Sequence, residues 1–486
     1  MTPTAQKQAA VDAPPVFGSV LEMIGATPML ELKQMDTGPC RLFVKLENQN
    51  PAGSIKDRIG LSMIEAAERD GRLDPNAKVK PTIIEATAGN TGLGLALVAG
   101  QRGYTLKVVV PDKMSEGKIQ HLRAMGAEVI LARSDVQKGH PDYYQEVAAR
   151  LAANTPNSLF INQFCNPDNI RAHYETTAPE IWKQMEPCGG VDAFVVGVGS
   201  GGTLSGCAKY LKEQNPDVQI ILCDPAGSIL EPLVNRDEKV EPGAWLVEGM
   251  GEDFVPDICD IELADEAIAV PDGESFRVAR RLLRTEGILG GSSTGCLIAA
   301  AEAWCKRQTK PMNVVTFVCD QGSKYLGKMF NDFWMIDNGF IKRERSDDLR
   351  DLIARRHELR EDYTLKPTDP VSQAIKAMEL HGISQLAVLD GNTNDVVGIL
   401  DESDVLMAVL NASTSEQNKA MAKPVSEFMT TRLETIAPSA TIDKLLPIFR
   451  ADRVAIVVDP DAPAGHRYLG LITRIDLIHY LRRQMK

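Results

Sequence analysis

Short apolar runs alternate with amphipathic stretches over the first two thirds of the chain. The runs at 82–86 and 105–112, and one that ends at Gly197, have the length and β-branched content of buried strands. Between these runs, apolar residues recur at helical spacing, as Ile59, Met63 and Ala66 do. Strands that alternate with helices predict an open, parallel α/β sheet.

The stretch 45–70, KLENQNPAGSIKDRIGLSMIEAAERD, predicts a strand, a polar turn and a helix that opens at Ser54. Ser54 and Asp57 have the spacing of a capping box. Lys56 falls in the first helical turn, where the positive end of the helix dipole disfavours a cation. A lysine at positive potential or out of water has a lowered pKa and becomes a usable amine nucleophile. Taken alone, the stretch is more typical of a surface lysine beside Asp57 and Arg58.

Three glycine loops lie next to predicted helices. Loop 87–92, TAGNTG, follows a strand, the position at which open α/β sheets bind ligands, and Asn90 offers a donor and an acceptor to a ring hydroxyl. Loop 199–203, GSGGT, leads from a strand into a helix and suits a phosphate, although it is not a P-loop. Loop 290–295, GGSSTG, offers serine hydroxyls to a ring nitrogen or to the next helix as caps.

The last third of the chain repeats itself. The segment GILDESD at 398–404 recurs as GLITRID at 470–476, and each copy predicts a helix, two strands and a helix. A duplicated unit of this kind is expected to bury an interface between its copies. The predicted order is a disordered tail, a large α/β unit, a charged linker and the two repeats, at 1–15, 16–336, 337–362, 363–412 and 424–486.

Composition and charge mainly exclude classes of partner, metal sites and cellular locations. The 53 basic and 66 acidic residues give a formal net charge of −13, which argues against nucleic acid or an anionic membrane as a partner. The nine cysteines form no C-x-x-C pair and no zinc-ligand spacing, so we expect free thiols, a reducing compartment and no metal. The N-terminus lacks the apolar core of a signal peptide, and no apolar run has membrane-spanning length. We therefore expect a cytoplasmic protein.

Eight sequence runs carry a resemblance to a known family. They are GATPML, NPAGSIKDR, ATAGNTGLGLALVAG, PDKMSEGKIQHLRAMGAEV, HYETTAPEIW, GVGSGGTLSG, VEGMGEDFVP and EGILGGSSTG, in family order. Residues 18–336 thereby resemble the pyridoxal-phosphate-dependent β-replacement enzymes, the family of cysteine synthases and cystathionine β-synthases. The resemblance implies a fold-type II enzyme with two open α/β subdomains and pyridoxal phosphate as cofactor. Ala88 departs from the family, since many members have serine there, and backbone N–H donors are expected to substitute for the hydroxyl.

The resemblance also implies a role for each loop. Lys56 matches the lysine that carries the cofactor and removes the substrate α-proton, and Asn90 matches the residue that bonds the ring 3-oxygen. Ser293 matches the partner of the ring nitrogen, where a neutral hydroxyl favours β-elimination over transamination. The phosphate cup matches Gly199, Ser200, Gly201, Gly202 and Thr203. The substrate-carboxylate site matches Thr87, Ala88, Gly89, Thr91 and Gln163.

The C-terminal repeat resembles a pair of CBS modules, which are α+β regulatory units. Asp476 is expected to accept from ribose hydroxyls and Thr473 to bond a phosphate or another polar group. In the first copy, Asp404 is the counterpart of Asp476, and Asp401 replaces the threonine. A carboxylate there disfavours a polyphosphate more than a cationic adenosyl ligand such as S-adenosylmethionine. A purely structural role for the pair, in dimerisation or stability, is the alternative.

A catalytic unit followed by a CBS pair is the architecture of cystathionine β-synthases. The leading expectation is condensation of L-serine with L-homocysteine to L-cystathionine, with release of hydrogen sulfide from cysteine plus homocysteine as a side reaction. The acidic residues Glu248, Glu252 and Asp253 are candidates to meet the homocysteine ammonium. One alternative is a cysteine synthase that uses O-acetylserine and sulfide, and another is an adenosyl sensor with an inactive catalytic half.

Amino acids and thiols are the expected partners of the site, and a homo-oligomer, a dimer or a tetramer, is the expected assembly. We expect no haem, because the family match begins close to the N-terminus and the first histidine is His121.

Overall fold

The computed structural model describes residues 15–87, 89–112, 114, 116–136, 139–410, 417–462 and 467–484. Ala88 and all but the last residue of the predicted tail 1–15 lie outside these ranges. Contacts divide the chain into two units, one up to Phe330 and one from Asn331. This division falls six residues before the predicted end of the catalytic part at 336, and the domain limits stay a prediction.

The first unit is built on two sheets. Its strands are β1 (Met29–Leu32), β2 (Arg41–Lys45), β3 (Thr82–Ala86), β4 (Thr105–Pro111), β5 (Glu128–Ala132), β6 (Ser158–Phe160), β7 (Ala193–Gly197), β8 (Gln219–Pro225), β9 (Glu266–Val270) and β10 (Asn313–Phe317). One sheet has the order β1-β2-β10-β7-β8-β9, in which β1 and β2 are antiparallel and the remaining pairs are parallel. The other, β5-β4-β3-β6, is parallel throughout. The two open α/β subdomains are therefore confirmed.

Helices cover these sheets. They are α1 (Lys56–Arg69), α2 (Asn90–Arg102), α3 (Glu116–Ala124), α4 (Tyr144–Asn154), α5 (Pro167–Ala172), α6 (Ala178–Met185), α7 (Gly202–Gln214), α8 (Leu230–Arg236), α9 (Asp272–Glu286) and α10 (Ser292–Lys306). Helices α1 and α2 cross backbone to backbone, because Gly60 and Gly94 face each other there. A Cβ at Gly94 would lie 2.7 Å from the carbonyl oxygen of Lys56, so this crossing sets the position of the Lys56 backbone.

A buried ion network fixes the other side of α1. The Arg58 guanidinium donates to both carboxylate oxygens of Glu47 at 2.8 Å and to both of Glu180 at 2.8 Å. Glu180 also pairs with the ammonium of Lys45 at 2.8 Å, and Thr27 donates to Glu47 at 2.6 Å. Glu47 and Lys45 are fully buried, so each charge depends on its partner.

The second unit contains both copies of the repeat. Its elements are α11 (Asp332–Asp337), β11 (Thr364–Leu365), α12 (Val371–His381), β12 (Gln385–Leu389), β13 (Val396–Asp401), α13 (Glu402–Leu410), α14 (Gln417–Met421), β14 (Thr435–Ile436), α15 (Leu445–Arg450), β15 (Ala455–Asp459), β16 (Arg467–Ile472) and α16 (Arg474–Gln484). Each copy has a three-stranded sheet, β11-β12-β13 or β14-β15-β16. Ala387 and Val396 of one sheet share an apolar cluster with Ile456 and Val458 of the other, which confirms the interface expected from the duplication.

The charged segment 337–362 contributes to the core of the second copy. Leu349, Leu352 and Ile353 are buried in one cluster with Phe449 of α15. The Leu349 N–H also donates to the carbonyl of Pro438 at 3.0 Å. This segment is therefore ordered and packed, whereas its charge pattern had suggested a linker.

The described ranges were compared with what a membrane span, a metal site and a disulfide each require. None of their helices is both long enough and apolar enough to cross a membrane. No group of three or more His, Cys, Asp or Glu side chains within them is arranged to hold a metal ion. All nine cysteines are free thiols.

Candidate active site

One cavity of about 550 Å³ opens at the carboxyl ends of the parallel strands in the first unit. Loops that follow β3, β7 and β10 all reach it, as expected for ligand sites in open α/β sheets. The predicted site residues that line it are Lys56, Thr87, Gly89, Asn90, Thr91, Gln163, Gly199, Ser200, Thr203, Glu248 and Ser293. Gly201 and Gly202 stand in the same loop as Ser200, and Ala88 lies outside the described residues.

Lys56 is the first residue of α1 and reaches into the cavity. Burial lowers the pKa of its ammonium, and the weaker effects of Cys319 and Glu252 act in the opposite direction. The predicted capping box is wrong. The Ser54 hydroxyl accepts from the Lys56 N–H at 3.2 Å, while the Asp57 carboxylate turns back to accept from the Ala52 N–H at 2.6 Å. Ser54 Oγ also donates to Asp57 Oδ1 at 3.3 Å, so the two side chains contact each other directly.

The loop 199–203 forms a close-fitting nest at the start of α7. Gly201 has φ +90°, and a Cβ at Gly199 would lie 2.7 Å from the carbonyl oxygen of Gly249. A Cβ at Gly202 would overlap Asn169 Oδ1, a buried oxygen that has no hydrogen-bond partner among the described residues. The N–H groups of a helix start in a glycine nest suit a phosphate, so the residues present fit the phosphate of pyridoxal phosphate.

His173 is a support of this loop that sequence reasoning missed. Its Nε2 lies 3.2 Å from Thr203 Oγ1, and its Nδ1 lies 3.0 Å from Thr177 Oγ1. Complete burial lowers the pKa of His173 well below its usual value, so the ring is neutral. Residues 173–177 form one π-helical turn between α5 and α6, a feature that often occurs at functional sites. Nothing in the local sequence pattern signals it.

The structure separates the two serines of the third loop. Ser293 lines the cavity, whereas the Ser292 hydroxyl accepts from the N–H of Glu248 at 3.0 Å. Gly291 is the N-cap of α10, and neither serine caps the helix by its side chain. Ser293 is thus the hydroxyl available to a ring nitrogen.

The predicted carboxylate pocket is connected by hydrogen bonds. Thr91 Oγ1 donates to Gln163 Oε1 at 2.7 Å, and the Gly89 N–H donates to Thr87 Oγ1 at 3.3 Å. The buried carboxyl of Glu85 accepts from the Gln163 N–H at 3.3 Å and holds the two loops together. Burial raises the pKa of Glu85 to about 8.

Glu248 is already engaged by cations. One carboxylate oxygen pairs with Lys118 and the other with Lys328 at 2.7 Å. Its charge is therefore balanced within the protein, and the other two acidic candidates, Glu252 and Asp253, also line the cavity.

Cys319 and Asp320 are further site residues that sequence reasoning missed. They follow β10 after one residue, Val318, and Cys319 lines the cavity while its carbonyl accepts from the Ile55 N–H at 2.9 Å. Burial raises the pKa of the Cys319 thiol to about 12, so the thiol is neutral. The signal that was available is their position after the apolar run NVVTFV, at the carboxyl end of a strand.

The second unit has a cavity of its own, of about 450 Å³, around Asp476. Asp476 Oδ2 accepts from both the N–H and the hydroxyl of Thr473, at 2.7 and 2.6 Å. In the first copy, the Asp401 N–H donates to Asp404 Oδ2 at 3.1 Å, and the Asp404 N–H donates to Asp401 Oδ1 at 2.9 Å. In both copies, therefore, the second residue of the pair accepts from the N–H three residues before it. The charged lining of the cavity comprises Lys342, Arg343, Arg345 and Arg356, together with Asp337, Glu344, Asp351, Asp476 and His479.

The family model described as "Pyridoxal-phosphate dependent enzyme" matches residues 20–320, and the CBS domain model matches 350–411 and 425–483. The cystathionine beta-synthase of Apis mellifera is 33% identical over 478 residues, which cover 96% of this chain and 91% of that protein. The similarity therefore runs through both units.

Two solved structures resemble the catalytic part. A hydrogen sulfide-producing enzyme from Fusobacterium nucleatum is 39% identical, has a TM-score of 0.58, and covers 64% of this chain and 98% of its own. An O-acetylserine dependent cystathionine beta-synthase from Helicobacter pylori is 36% identical, has a TM-score of 0.59, and covers 65% of this chain and 99% of its own.

Proposed function

The chain belongs to the pyridoxal-phosphate-dependent enzymes, and within them to the cystathionine β-synthases with a C-terminal CBS pair, and we propose on this premise that it condenses L-serine with L-homocysteine. It is a lyase that performs β-replacement. With cysteine in place of serine, the same exchange would release hydrogen sulfide. The nine free thiols fit a reducing compartment, and we place the protein in the cytoplasm.

A single observation carries this proposal. One cavity gathers Lys56, Asn90, Ser293 and the 199–203 nest, in a chain whose similarity to cystathionine β-synthases includes the second unit. Each group would face a different part of one ring-and-phosphate ligand, and this arrangement argues against the second alternative, an adenosyl sensor with an inactive catalytic half.

The protein supplies a holder for each part of the cofactor. The nest 199–203 would hold the phosphate, Asn90 the ring oxygen and Ser293 the ring nitrogen. Pyridoxal phosphate, when bound, supplies an electron-withdrawing ring that spreads charge from the substrate α-carbon. The neutral Ser293 hydroxyl limits that withdrawal, which favours loss of the β-substituent.

Lys56 moves the protons. Its lowered pKa leaves more of the freed amine neutral at a given pH, as a general base at the α-carbon requires. The protonated amine then stands in the same cavity and can return its proton to the departing β-oxygen. Hydroxide leaves poorly without a proton, so serine depends on this second transfer more than O-acetylserine does.

Two groups of residues would position the two amino-acid substrates. Thr87, Gly89, Thr91 and Gln163 would hold the carboxylate of the first amino acid, because their N–H, hydroxyl and amide groups converge. Glu252 and Asp253, which also line the cavity, would meet the ammonium of homocysteine, because Glu248 is already paired with Lys118 and Lys328. A thiol held there adds to the β-carbon.

The test is a crossed assay of the purified protein. Serine, O-acetylserine and cysteine are each combined with homocysteine or sulfide, and products are quantified by mass spectrometry. We expect the highest kcat/KM for cystathionine from serine and homocysteine. The relative named as O-acetylserine dependent supports O-acetylserine as a second candidate donor, and a preference for it would correct the donor alone. Cysteine as the main product, from sulfide, would contradict the proposal.

Ser293→Asp should impair β-replacement. A carboxylate at this position would protonate the ring nitrogen and strengthen electron withdrawal, which disfavours clean loss of the β-substituent. We expect kcat to fall by about tenfold or more, with a shifted cofactor absorbance band. Ser292→Asp is a weaker control, because Ser292 bonds the Glu248 N–H instead. Full activity in Ser293→Asp would show that another group contacts the nitrogen.

We also propose that the Asp476 cavity binds an adenosyl compound. Its lining carries four cationic and four acidic side chains in addition to His479. This balance suits the zwitterionic end of S-adenosylmethionine better than a polyphosphate. Calorimetry of the full chain should give heat with S-adenosylmethionine and less with ATP or AMP, and Asp476→Ala should abolish it. If none of the three compounds gives a heat of binding, the CBS pair has a structural role only.

Assembly of this protein as a dimer or tetramer is proposed from exposed apolar side chains of the second unit. Leu406, Met407 and Leu410 of α13 are 55–64% exposed, and Ile475 and Ile478 of α16 are 52–57% exposed. Such surfaces commonly bury against a second copy. We expect Ile478→Glu to lower the molar mass measured by light scattering, whereas Val79→Glu, at an exposed apolar position of the first unit, should not. A monomeric wild-type chain would contradict this assembly.

A further inference from the structure

The Asn90 side chain is held from two sides by opposite charges. Its Nδ2 donates to Asp320 Oδ2 at 2.9 Å, and its Oδ1 accepts from the Lys324 ammonium at 2.6 Å. Both partners come from the segment after β10, more than two hundred residues along the chain. Charge-assisted hydrogen bonds of this kind are roughly twice as strong as neutral ones.

This pair of charges selects one orientation of the amide. A flipped amide would turn its oxygen to the Asp320 carboxylate and its NH2 group to the Lys324 ammonium, and both contacts would be repulsive. The amide nitrogen carries two N–H groups, of which Asp320 takes one. Because Asn90 lines the cavity, the second N–H is left for a ligand acceptor there.

The carboxylate is itself built into the core. Asp320 is 1% exposed, and Tyr325 Oη donates to the same Oδ2 at 2.9 Å. The Gly291 N–H donates to the Asp320 carbonyl at 3.1 Å, and a Cβ at Gly291 would overlap the second carboxylate oxygen. Burial raises the pKa of Asp320 above its usual value, and the Lys324 charge and the hydrogen bonds from Asn90 and Tyr325 only partly oppose this rise.

Lys324 also contacts the loop that precedes Lys56. Its ammonium lies 3.5 Å from the Ala52 carbonyl and 3.4 Å from the Gly53 carbonyl, three residues before Lys56. The same cation therefore contacts the loop that positions the amine and the amide that faces the ring.

We propose that Asp320 and Lys324 are positioning residues that fix the Asn90 amide with an N–H turned toward the cofactor ring oxygen. This inference rests on the proposed function through its assignment of Asn90 to that oxygen. The two charges act through Asn90 and touch neither substrate nor cofactor. Their loss lets the amide rotate, which weakens cofactor binding and changes the charge state of the ring oxygen.

Cofactor titration of the full-length apoprotein tests this, with Lys324→Met and Asp320→Asn each made in the wild type and in Asn90→Ala. The readouts are the pyridoxal phosphate Kd and the ratio of the long- to the short-wavelength cofactor band. In the wild type, each variant should weaken binding about tenfold and lower that ratio. In Asn90→Ala, Asp320→Asn should add little to the loss, because residues in one network are non-additive. Lys324→Met should add less than it does in the wild type, and what remains reports its contacts with the Ala52 and Gly53 carbonyls. Lys324→Arg should restore both readouts.

Two controls separate positioning from damage. Lys212→Met removes a surface ion pair with Asp265 at 2.9 Å and should change neither readout. Thermal unfolding shows whether each apoprotein is folded at the titration temperature, and if Asp320→Asn does not fold, Lys324→Met carries the test.

Equal losses in the wild-type and Asn90→Ala backgrounds would overturn the proposal, as would unchanged binding in Lys324→Met. No substrate enters the titration, so failure of the serine and homocysteine assay leaves its result intact.

Discussion

Lys56→Ala is expected to lose nearly all turnover, by about a thousandfold or more, because one amine both carries the cofactor and moves the α-proton. The variant should still bind pyridoxal phosphate through the 199–203 nest, but without the absorbance of a lysine-linked cofactor. Steady-state formation of cystathionine and the visible spectrum measure the two effects.

Borohydride treatment of the wild-type holoenzyme gives a direct assignment. Reduction should attach the cofactor to Lys56, as mapped by peptide mass spectrometry. Lys212→Ala, at a surface ion pair, is the matched control and should retain both colour and turnover. A label on Lys118, a second lysine among the described residues that line this cavity, would show that the assignment is wrong.

Arg58→Ala is expected to destabilise the catalytic unit by about 3–5 kcal/mol. Glu47 is fully buried, and its carboxylate would lose both hydrogen bonds to the guanidinium. Breaking a buried pair from one side leaves an uncompensated charge, which costs more than the pair contributes when intact. Urea denaturation followed by tryptophan fluorescence measures this, since three of the four tryptophans lie in the first unit, at 182, 245 and 304.

The control is Arg171→Ala, which removes an ion pair with Glu175 whose side chains are 42% and 54% exposed. Solvent screens such a pair, so the urea midpoint should stay within error of the wild type. If Arg58→Ala also left the midpoint unchanged, the buried network would not stabilise the helix that carries Lys56.

The effect of Arg58→Ala should depend on pH. Burial raises the pKa of Glu180, but the Arg58 hydrogen bonds and the charges of Arg58 and Lys45 lower it more, to about 2 from its usual 4.5. A lowered folded-state pKa stabilises above the unfolded value, and this stability is lost as pH falls from 4.5 toward 2. The difference between wild type and Arg58→Ala should therefore shrink over that range.

Local pattern was sufficient for much of the catalytic unit. The strand at 82–86, the helix that follows and its end before Gly103 all appear in the structure as the apolar periodicity and the glycine predicted them. A strand end, a glycine loop and a helix start are adjacent in sequence, so the sequence can place them together. The repeat could also be predicted from the sequence, because each copy has the pattern of the same helix, strand, strand and helix.

Local sequence pattern could not predict contacts between side chains that lie far apart along the chain. Sequence offered Ser292 and Ser293 as equivalent hydroxyls, and the packing of α10 against the loop at Glu248 decides between them. It offered Glu248 as a free acid, yet Lys118 and Lys328 lie 130 and 80 residues away along the chain and pair with it. Such pairings have no local signature.

The sequence by itself determined which segments are strands, helices and glycine loops, because hydrophobic period and backbone freedom are local properties. The tertiary structure decided which side chains of those loops meet. The parallel order β2-β10-β7 brings the end of β10 to the Lys56 loop, and the glycine crossing of α1 and α2 sets Asn90 beside it. Asp320 therefore reaches Asn90 across 230 residues of chain, a contact set by packing geometry alone.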